Sequence, residues 1–456
     1  MDFERIVSTQ REYFLTDATR DVAFRKAALR KLYEAVVQKE AVIFEALKKD
    51  LNKCDFEAYM SEVGIVREEC RHAIRHIGGW ARRKRVSSPL SQFPCRSFIL
   101  TEPYGVTLIM SPWNYPFQLT LCPLIGAIAA GNCAVIKPSA YSPSTSQIIA
   151  DLIAEVFPPE YITVVQGGRK ENAGLLEQTF DYIFFTGSTT VGRLVMEKAS
   201  ANLTPVTLEL GGKSPAIIDS TVDMKLTAKR VCWSKFLNAG QTCVAPDYVL
   251  IEESVRDAFL TACVDAIKEA FPQGALGDPE YVRIINEKQF ARVTPYLSDG
   301  TLVTGGGSDP ATRAIEPTIL CDITFDSPVM QEEIFGPILP VITDTNIDTV
   351  VEELKRRPKP LALYIFSKDK TFQDKILRSV SFGGGCINDT VIHLVNEKLG
   401  FGGVGESGMG AYHGKRSFDT FTHEKSIIDK KTWLDLPMRY RPYKKSNFGL
   451  LRFFLR

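Results

Sequence analysis

The chain reads as an α/β protein: a doubly wound parallel sheet, then a second α/β unit, with a small β arm outside both. Two observations predict the layered part. Short, wholly apolar runs such as Val106–Met110 and Tyr182–Phe185 recur along the first half, and helical segments separate them. The alternation restarts after Gly212, so a second sheet follows the first. At 456 residues the chain is too long for one ordinary core, and 45% hydrophobic with 24% charged residues is a globular balance.

Taken in order, Phe24, Ala28, Leu32, Val36 and Phe44 recur near helical spacing between Arg20 and Lys49, which predicts long amphipathic helices at the start. Arg96–Glu102 alternates like a strand outside the first sheet. Val106–Met110, Ala134–Ile136, Ile162–Val165 and Tyr182–Phe185 are the strands of that sheet. Leu119–Ala130 is apolar but too short to span a bilayer and carries Pro123 and Gly126, so it reads as a buried helix. Ala216–Ile218 and Tyr248–Ile251 open the second sheet, Val255–Ala270 is a helix, and Ser417–Ile428 is a last strand-like run. No internal repeat or low-complexity tract interrupts this order.

Composition narrows the partners. Lys plus Arg (55) nearly cancels Asp plus Glu (54), which argues against a global nucleic-acid footprint. The ten cysteines lack CxxC or Cys/His spacing and the five histidines lack ligand spacing, so no metal is expected. The start Met1-Asp2-Phe3-Glu4-Arg5 has no signal-peptide pattern, and a reducing cytoplasm fits. In the tail, Arg439-Tyr440-Arg441-Pro442-Tyr443-Lys444-Lys445 precedes the apolar Phe448-Gly449-Leu450-Leu451-Arg452-Phe453-Phe454-Leu455-Arg456. That order suits weak peripheral contact with an anionic membrane or docking in a dimer.

Chemistry concentrates in Asn238-Ala239-Gly240-Gln241-Thr242-Cys243 and in Leu208-Glu209-Leu210-Gly211-Gly212. A thiolate adds to a carbonyl carbon, and a carboxylate of raised pKa activates the water that releases an acid. Gly240 allows close backbone approach to a ligand, and a positive local field would lower the pKa of Cys243. Most cysteines are small buried hydrophobes. Cys122, Cys133, Cys232 and Cys263 have that setting, whereas Cys243 follows Gly-Gln-Thr. Glu209 between two leucines is either a base or a buried holder of the Gly211-Gly212 amides. Asn114, framed by Pro112 and Pro116, either satisfies its own turn or donates to an oxyanion. Thr186-Gly187-Ser188 joins a strand to a helix, where amides can face a phosphate, although the spacing to Gly192 departs from GxGxxG.

These segments, with Ser111-Pro112-Trp113-Asn114-Tyr115-Pro116, Val135-Ile136-Lys137-Pro138-Ser139, Gln331-Glu332-Glu333-Ile334-Phe335-Gly336-Pro337 and Phe401-Gly402-Gly403-Val404-Gly405, resemble the NAD(P)-dependent aldehyde dehydrogenase superfamily in its class 3 branch of fatty and aromatic aldehyde dehydrogenases. The resemblance runs almost end to end. It implies Cys243 as nucleophile, Glu209 as hydrolytic base with Glu333 as the alternative, and Asn114 beside the Cys243 amide as oxyanion donor. It also implies cofactor contacts from Trp113, Lys137, Thr186, Gly187, Ser188, Gly192, Glu333 and Phe335. Tyr115, Trp233, Phe335 and Phe401 are aromatics that either pack in the core or line a passage for an apolar aldehyde, and the resemblance favours the passage.

The implied layout is a dinucleotide-binding domain at 1–85 and 103–208 and a catalytic domain at 209–395. A bridging arm and tail occupy 86–102 and 396–456 and build a homodimer. Many NAD-preferring relatives carry Glu after the Lys-Pro-Ser run where this chain has Ala140, which implies use of NADP alongside NAD. Two other functions compete: an acylating or phosphate-reducing relative, against which both glutamates count, and a crystallin-like protein without turnover, against which Cys243, Asn114 and Glu209 count.

Overall fold

The computed structural model describes residues 2–344, 346–436 and 439–454. Its first sheet has the strand order Gly408–Met409, Val206–Glu209, Tyr182–Thr186, Val106–Met110, Cys133–Lys137, Ile162–Val164. All neighbours are parallel except the edge pair Gly408–Met409 and Val206–Glu209. Helices cover the sheet, so the central strands are buried along their whole length and read as unbroken apolar runs. Val106–Met110 comes first in the chain and lies centrally. The next two strands add on one side and Tyr182–Thr186 on the other, so the order reverses there. A crevice opens at the carboxyl ends of these strands.

The second sheet runs Thr301–Thr304, Thr318–Cys321, Ile338–Asp344, Tyr248–Glu252, Pro215–Ile218, Ala362–Phe366, Gly384–Ile387. Only Thr301–Thr304 is antiparallel to its neighbour. Helix Arg256–Ala270 packs on helix Met224–Phe236 beside it.

The opening helices fall at Val22–Gln38 and Glu40–Leu51. Gln118–Ala130 is helical and buried throughout despite Pro123. Cys95–Pro103 pairs antiparallel with Thr422–Lys430 over their full lengths and with Lys84–Val86 on its other edge, making the separate arm.

The expected strand at Ser417–Ile428 is therefore half right. Lys415–Thr420 is a helix and the strand begins only at Thr422. Phe418 and Phe421, three residues apart, both turn inward there. Ser417 sits against Gly126 of the buried helix, and its hydroxyl accepts the His413 N–H at 2.8 Å.

Candidate active site

The loop that carries Cys243 leaves helix Met224–Phe236 through three consecutive left-handed residues, Asn238 (φ 53°), Ala239 (φ 50°) and Gly240 (φ 72°). A Cβ on Gly240 would stand 2.2 Å from the Gly336 carbonyl oxygen. Glycine is needed because the loop packs on the turn after Glu333, rather than for approach to a ligand. The Gln241 side chain pins the loop: its Nε2 donates to the carbonyls of Asn238 (3.0 Å) and Arg283 (3.1 Å), and its Oε1 accepts the Ile285 N–H (3.0 Å).

Two side-chain bonds stitch this loop to the Asn114 turn. Asn114 Nδ2 donates to the Gln241 carbonyl at 3.0 Å, and Asn238 Nδ2 donates to the Asn114 carbonyl at 2.9 Å. The hydroxyls of Tyr115 and Thr242 add a contact at 2.6 Å.

Cys243 lies where two cavities meet. On one side is a cleft of about 410 Å³ at the crevice of the first sheet, the more polar of the two. On the other is an apolar chamber of about 230 Å³. Cys243 and Leu119 line both. The cleft collects Asn114, Thr186, Gly187, Ser188, Glu209 and Glu333, with Trp113 and Phe335 packed edge to face at 5.4 Å. The chamber collects Tyr115, Trp233 and Phe401. Phe335 thus belongs with the cleft and not with the apolar passage.

Two expected cofactor residues do not reach the cleft lining. Lys137 ends its strand with its ammonium donating to the carbonyls of Pro138 (2.7 Å) and Gly167 (2.6 Å), and burial lowers its pKa to about 8. Gly192 lets its helix close on Leu210, whose Cδ2 would be 2.7 Å from an added Cβ. The Gly187 N–H is committed to the Glu209 carbonyl at 3.0 Å, so an anion at this helix start would meet the amides that follow Ser188.

The condition under which Cys243 would have a lowered pKa, a positive local field, is not met. The Cys243 thiol is held well above its ordinary pKa, first by burial and then by the nearby carboxyls of Glu333 and Glu209, against the pull of its own and the Val244 backbone N–H groups. No positive field activates it, because the charged groups facing it are acids. Glu209 is 2% exposed with neither carboxyl oxygen hydrogen-bonded among the described residues, and this desolvation raises its pKa far above the carboxylate range. Glu333 is pushed up to about 8 by burial and then by the charge of Asp247, while the Gly212 N–H, Lys213 and Arg292 pull it down. Gly211 makes room for it: a Cβ there would lie 2.1 Å from Glu333 Oε2.

Sequence reasoning missed the residues that hold these groups in place. Asp247 accepts the Ile334 N–H at 3.2 Å and the Lys213 ammonium at 2.6 Å, which fixes the Glu333 turn. Lys53 and Glu62 form a fully buried pair at 2.6 Å, and Glu62 also accepts the N–H groups of Phe117 (2.8 Å) and Gln118 (3.2 Å). Glu57 accepts the Asn238 N–H at 2.8 Å. Lys53, Glu57 and Glu62 sit among the many ordinary charges of the N-terminal helices, and no local pattern singles them out.

The cleft fits a dinucleotide by its own features. It opens at the switch in strand order, it abuts the start of helix Thr189–Ser200 capped by Ser188, and the buried Thr186 hydroxyl in its wall has no partner among the described residues. A thiol thus stands between a cleft that fits a dinucleotide and an apolar chamber.

The chain belongs to the aldehyde dehydrogenase family, whose model matches residues 1–427. It is 50% identical to the 4,4'-diaponeurosporen-aldehyde dehydrogenase of Staphylococcus aureus over 95% of both chains. It is 44% identical to aldehyde dehydrogenase family 3 member B1 of Mus musculus over 98% of this chain and 96% of the relative. The substrate-bound structure of Staphylococcus aureus AldH superposes with a TM-score of 0.97 at 48% identity, covering 99% of each chain. Class 3 relatives and an α/β fold of two parallel sheets agree with the resemblance.

Proposed function

We propose that this aldehyde dehydrogenase oxidises an apolar aliphatic or aromatic aldehyde to its carboxylic acid with NAD or NADP. One observation carries the reading: Cys243 lines both the polar cleft and the apolar chamber. An aldehyde whose tail occupies the chamber brings its carbonyl to the thiol, and the cleft is open to that same atom.

Proton movements follow from the site's electrostatics. Cys243 gives its proton to solvent water in the open cleft and adds to the carbonyl as a thiolate, so that a C–S bond forms as the C=O π bond opens to the oxyanion of a hemithioacetal. The developing oxyanion takes the Cys243 backbone N–H and the Asn114 amide N–H left over from the bond to Gln241, each donor contributing about 3 kcal/mol in comparable sites. Bound NAD(P) supplies the hydride acceptor. The Cys243 thioester that results is opened by water, Cys243 leaving as thiolate, and Glu209 in its ionised form takes the proton from that water, its raised pKa making it the stronger base. Glu333 is the alternative base. With Glu209 as the base, Glu333 stands beside Thr186, Ser188, Trp113 and Phe335 as a cofactor contact. Lys137 and Gly192 support the cofactor site from outside the cleft lining.

The domain limits given above are part of the proposal, as are a homodimer built through the arm and a cytoplasmic setting. The edge strand Thr422–Lys430 and the exposed Ile428 and Trp433 beside it support the dimer. No described helix is long and apolar enough to cross a membrane. In the tail, helix Phe448–Phe454 exposes Phe448, Leu450 and Phe453 after a basic run, which supports weak contact with an anionic surface; Leu455 and Arg456 lie outside the described residues. Sedimentation with anionic vesicles, full-length against a chain ending before Arg439, checks this contact. Equal failure to pellet rejects it.

A turnover screen of aliphatic and aromatic aldehydes with both cofactors tests the function. Acid formation from apolar aldehydes is expected. Transfer of the acyl group to a thiol or phosphate in preference to water would replace the reading with the acylating one.

A further inference from the structure

The turn at Glu333 sits in a cluster of charged groups that cancel largely in pairs. Lys213 donates to Asp247 (2.6 Å) and to the carbonyls of Val329 (3.0 Å) and Glu332 (2.9 Å), so all of its N–H groups are used. Arg292 pairs with the Glu332 carboxylate at 2.9 Å. What remains is the carboxyl of Glu333 and the ammonium of Lys235.

Lys235 lies in the last turn of helix Met224–Phe236, and its side chain is wholly buried. Asp247 Oδ1 stands 3.7 Å from its Nζ, and the ammonium makes no hydrogen bond among the described residues. A buried amine left in that state destabilises a fold, whereas a methionine of similar reach would pack there without stripping water from a charge. Asp247 does not require it. Lys213 and the Ile334 N–H already satisfy that carboxylate. The charged groups facing Lys235 are Asp247, Lys213 and Glu333, and those facing Glu333 include Asp247, Lys213 and Arg292, with the Cys243 thiol close by.

We propose that Lys235 is a positioning residue that acts through Glu333: its ammonium is the counter-ion that lets this carboxyl ionise in the buried cluster and accept hydrogen bonds from the dinucleotide. The proposal rests on the reading of Glu333 as a cofactor contact and adds the residue that controls it. With Lys213 balanced by Asp247 and Arg292 by Glu332, the cluster is neutral in two states: Glu333 and Lys235 both uncharged, or both charged. Burial lowers the Lys235 pKa to about 8 against the pull of Asp247 and Glu333, and Glu333 titrates in the same range, so the two states lie close in free energy and the groups titrate as a pair. A ligand hydroxyl that donates to the Glu333 carboxylate selects the charged state. Lys235 thus governs a ligand from outside the cleft lining.

The test is the dissociation constant of NAD from pH 6 to pH 10, read by protein fluorescence. NAD carries no group that titrates in this range, so a midpoint reports the protein. Native binding should tighten as pH rises, with a midpoint near about 8. Lys235→Met leaves Asp247 paired with Lys213, so it uncovers no buried charge, and it should move the midpoint up by about one pH unit. Lys235→Arg, charged throughout the range, should return the midpoint to the native value or below it. In Glu333→Gln the affinity should not depend on pH, and adding Lys235→Met should introduce no dependence.

A midpoint that stays in place in Lys235→Met overturns the proposal, as does a shift that survives in the Glu333→Gln background. Affinity lost at every pH together with a lowered Tm in both Lys235 variants assigns Lys235 a packing role and overturns it too. A native enzyme that binds NAD equally from pH 6 to pH 10 overturns the control by Lys235 and leaves the cofactor reading standing. Binding of neither NAD nor NADP overturns both.

Discussion

Glu209 and Glu333 face the same cleft, yet the chain supports them differently. Glu209 ends the strand Val206–Glu209, with both carboxyl oxygens buried and without a hydrogen-bond partner among the described residues. Glu333 lies in a turn tied down on every side: Arg292 donates to the carbonyls of Glu333 (3.2 Å) and Ile334 (2.7 Å), Lys213 donates to the Glu332 carbonyl (2.9 Å), and Asp247 accepts the Ile334 N–H. The first carboxyl is perturbed by desolvation alone. The second feels a balance of burial, a neighbouring acid and two cations, and titrates at about 8. A group whose environment offers nothing to its charged form is poised to hold a proton after taking it, whereas a group inside a charge network is positioned as much as it is tuned. Two acids at one site can therefore divide proton transfer and placement between them.

The largest expected effect breaks both halves of this division at once. Cys243→Ala removes the atom both acids serve, and kcat should fall on the order of a thousandfold or more while cofactor binding, read by fluorescence titration, is retained. Turnover near the native level would end the covalent mechanism.

Glu209→Gln separates the acids. A burst of reduced cofactor should persist while steady turnover falls roughly a hundredfold, because acylation precedes the need for activated water. A burst that disappears with the steady rate would place Glu209 before the thioester and make Glu333 the hydrolytic base.

Glu333→Gln should act mainly on the cofactor KM, and it has a stability signature with a definite sign. A carboxyl whose pKa is raised from 4.5 to about 8 on folding favours the folded state when protonated, and that contribution is lost as pH rises from 4.5 through about 8. The amide cannot ionise, so the variant's Tm relative to native should climb between pH 5 and pH 9. A difference that stays flat over this range would mean that Glu333 is charged throughout.

The smallest effect comes from adding a carboxylate outside the pair. Ala140 is exposed just beyond strand Cys133–Lys137, and Ala140→Glu should lower kcat/KM with NADP about fivefold or more while NAD is maintained, through repulsion of the extra phosphate. Turnover at saturating NAD should not change. Strict NAD use by the native enzyme would show that Ala140 does not set the choice.

Legibility followed locality. The buried strands of the first sheet were readable because each is apolar along its whole length, and the opening helices because their apolar residues repeat at helical spacing. Lys415–Thr420 was misread because six residues are too few for a period to show, although Phe418 and Phe421 have helical spacing, and packing against the buried helix Gln118–Ala130 decides the matter. Within the site, Cys243, Glu209, Asn114, Thr186, Gly187, Ser188, Trp113 and Glu333 converge on one cleft as their motifs imply. Asp247, Lys53, Glu57 and Glu62 carry no such signal: Lys53 and Glu62 pair with each other across nine residues, but the loops that Glu62, Glu57 and Asp247 hold lie dozens of residues away or more.

By itself the sequence determined which atoms can do chemistry here: a thiol among small residues, carboxyls beside glycines, an amide between prolines, and the alternation of strand and helix that builds two parallel sheets. Tertiary structure alone decided that Cys243 stands between a polar cleft and an apolar chamber, that Lys137 and Gly192 lie outside the cleft lining, and that Phe335 joins Trp113 on its polar side. It also decided the sign of the Cys243 perturbation. The reason is that desolvation and electric field act through space. The charges that surround the thiol come from segments that approach one another only when both sheets have formed, and no window of sequence contains them together.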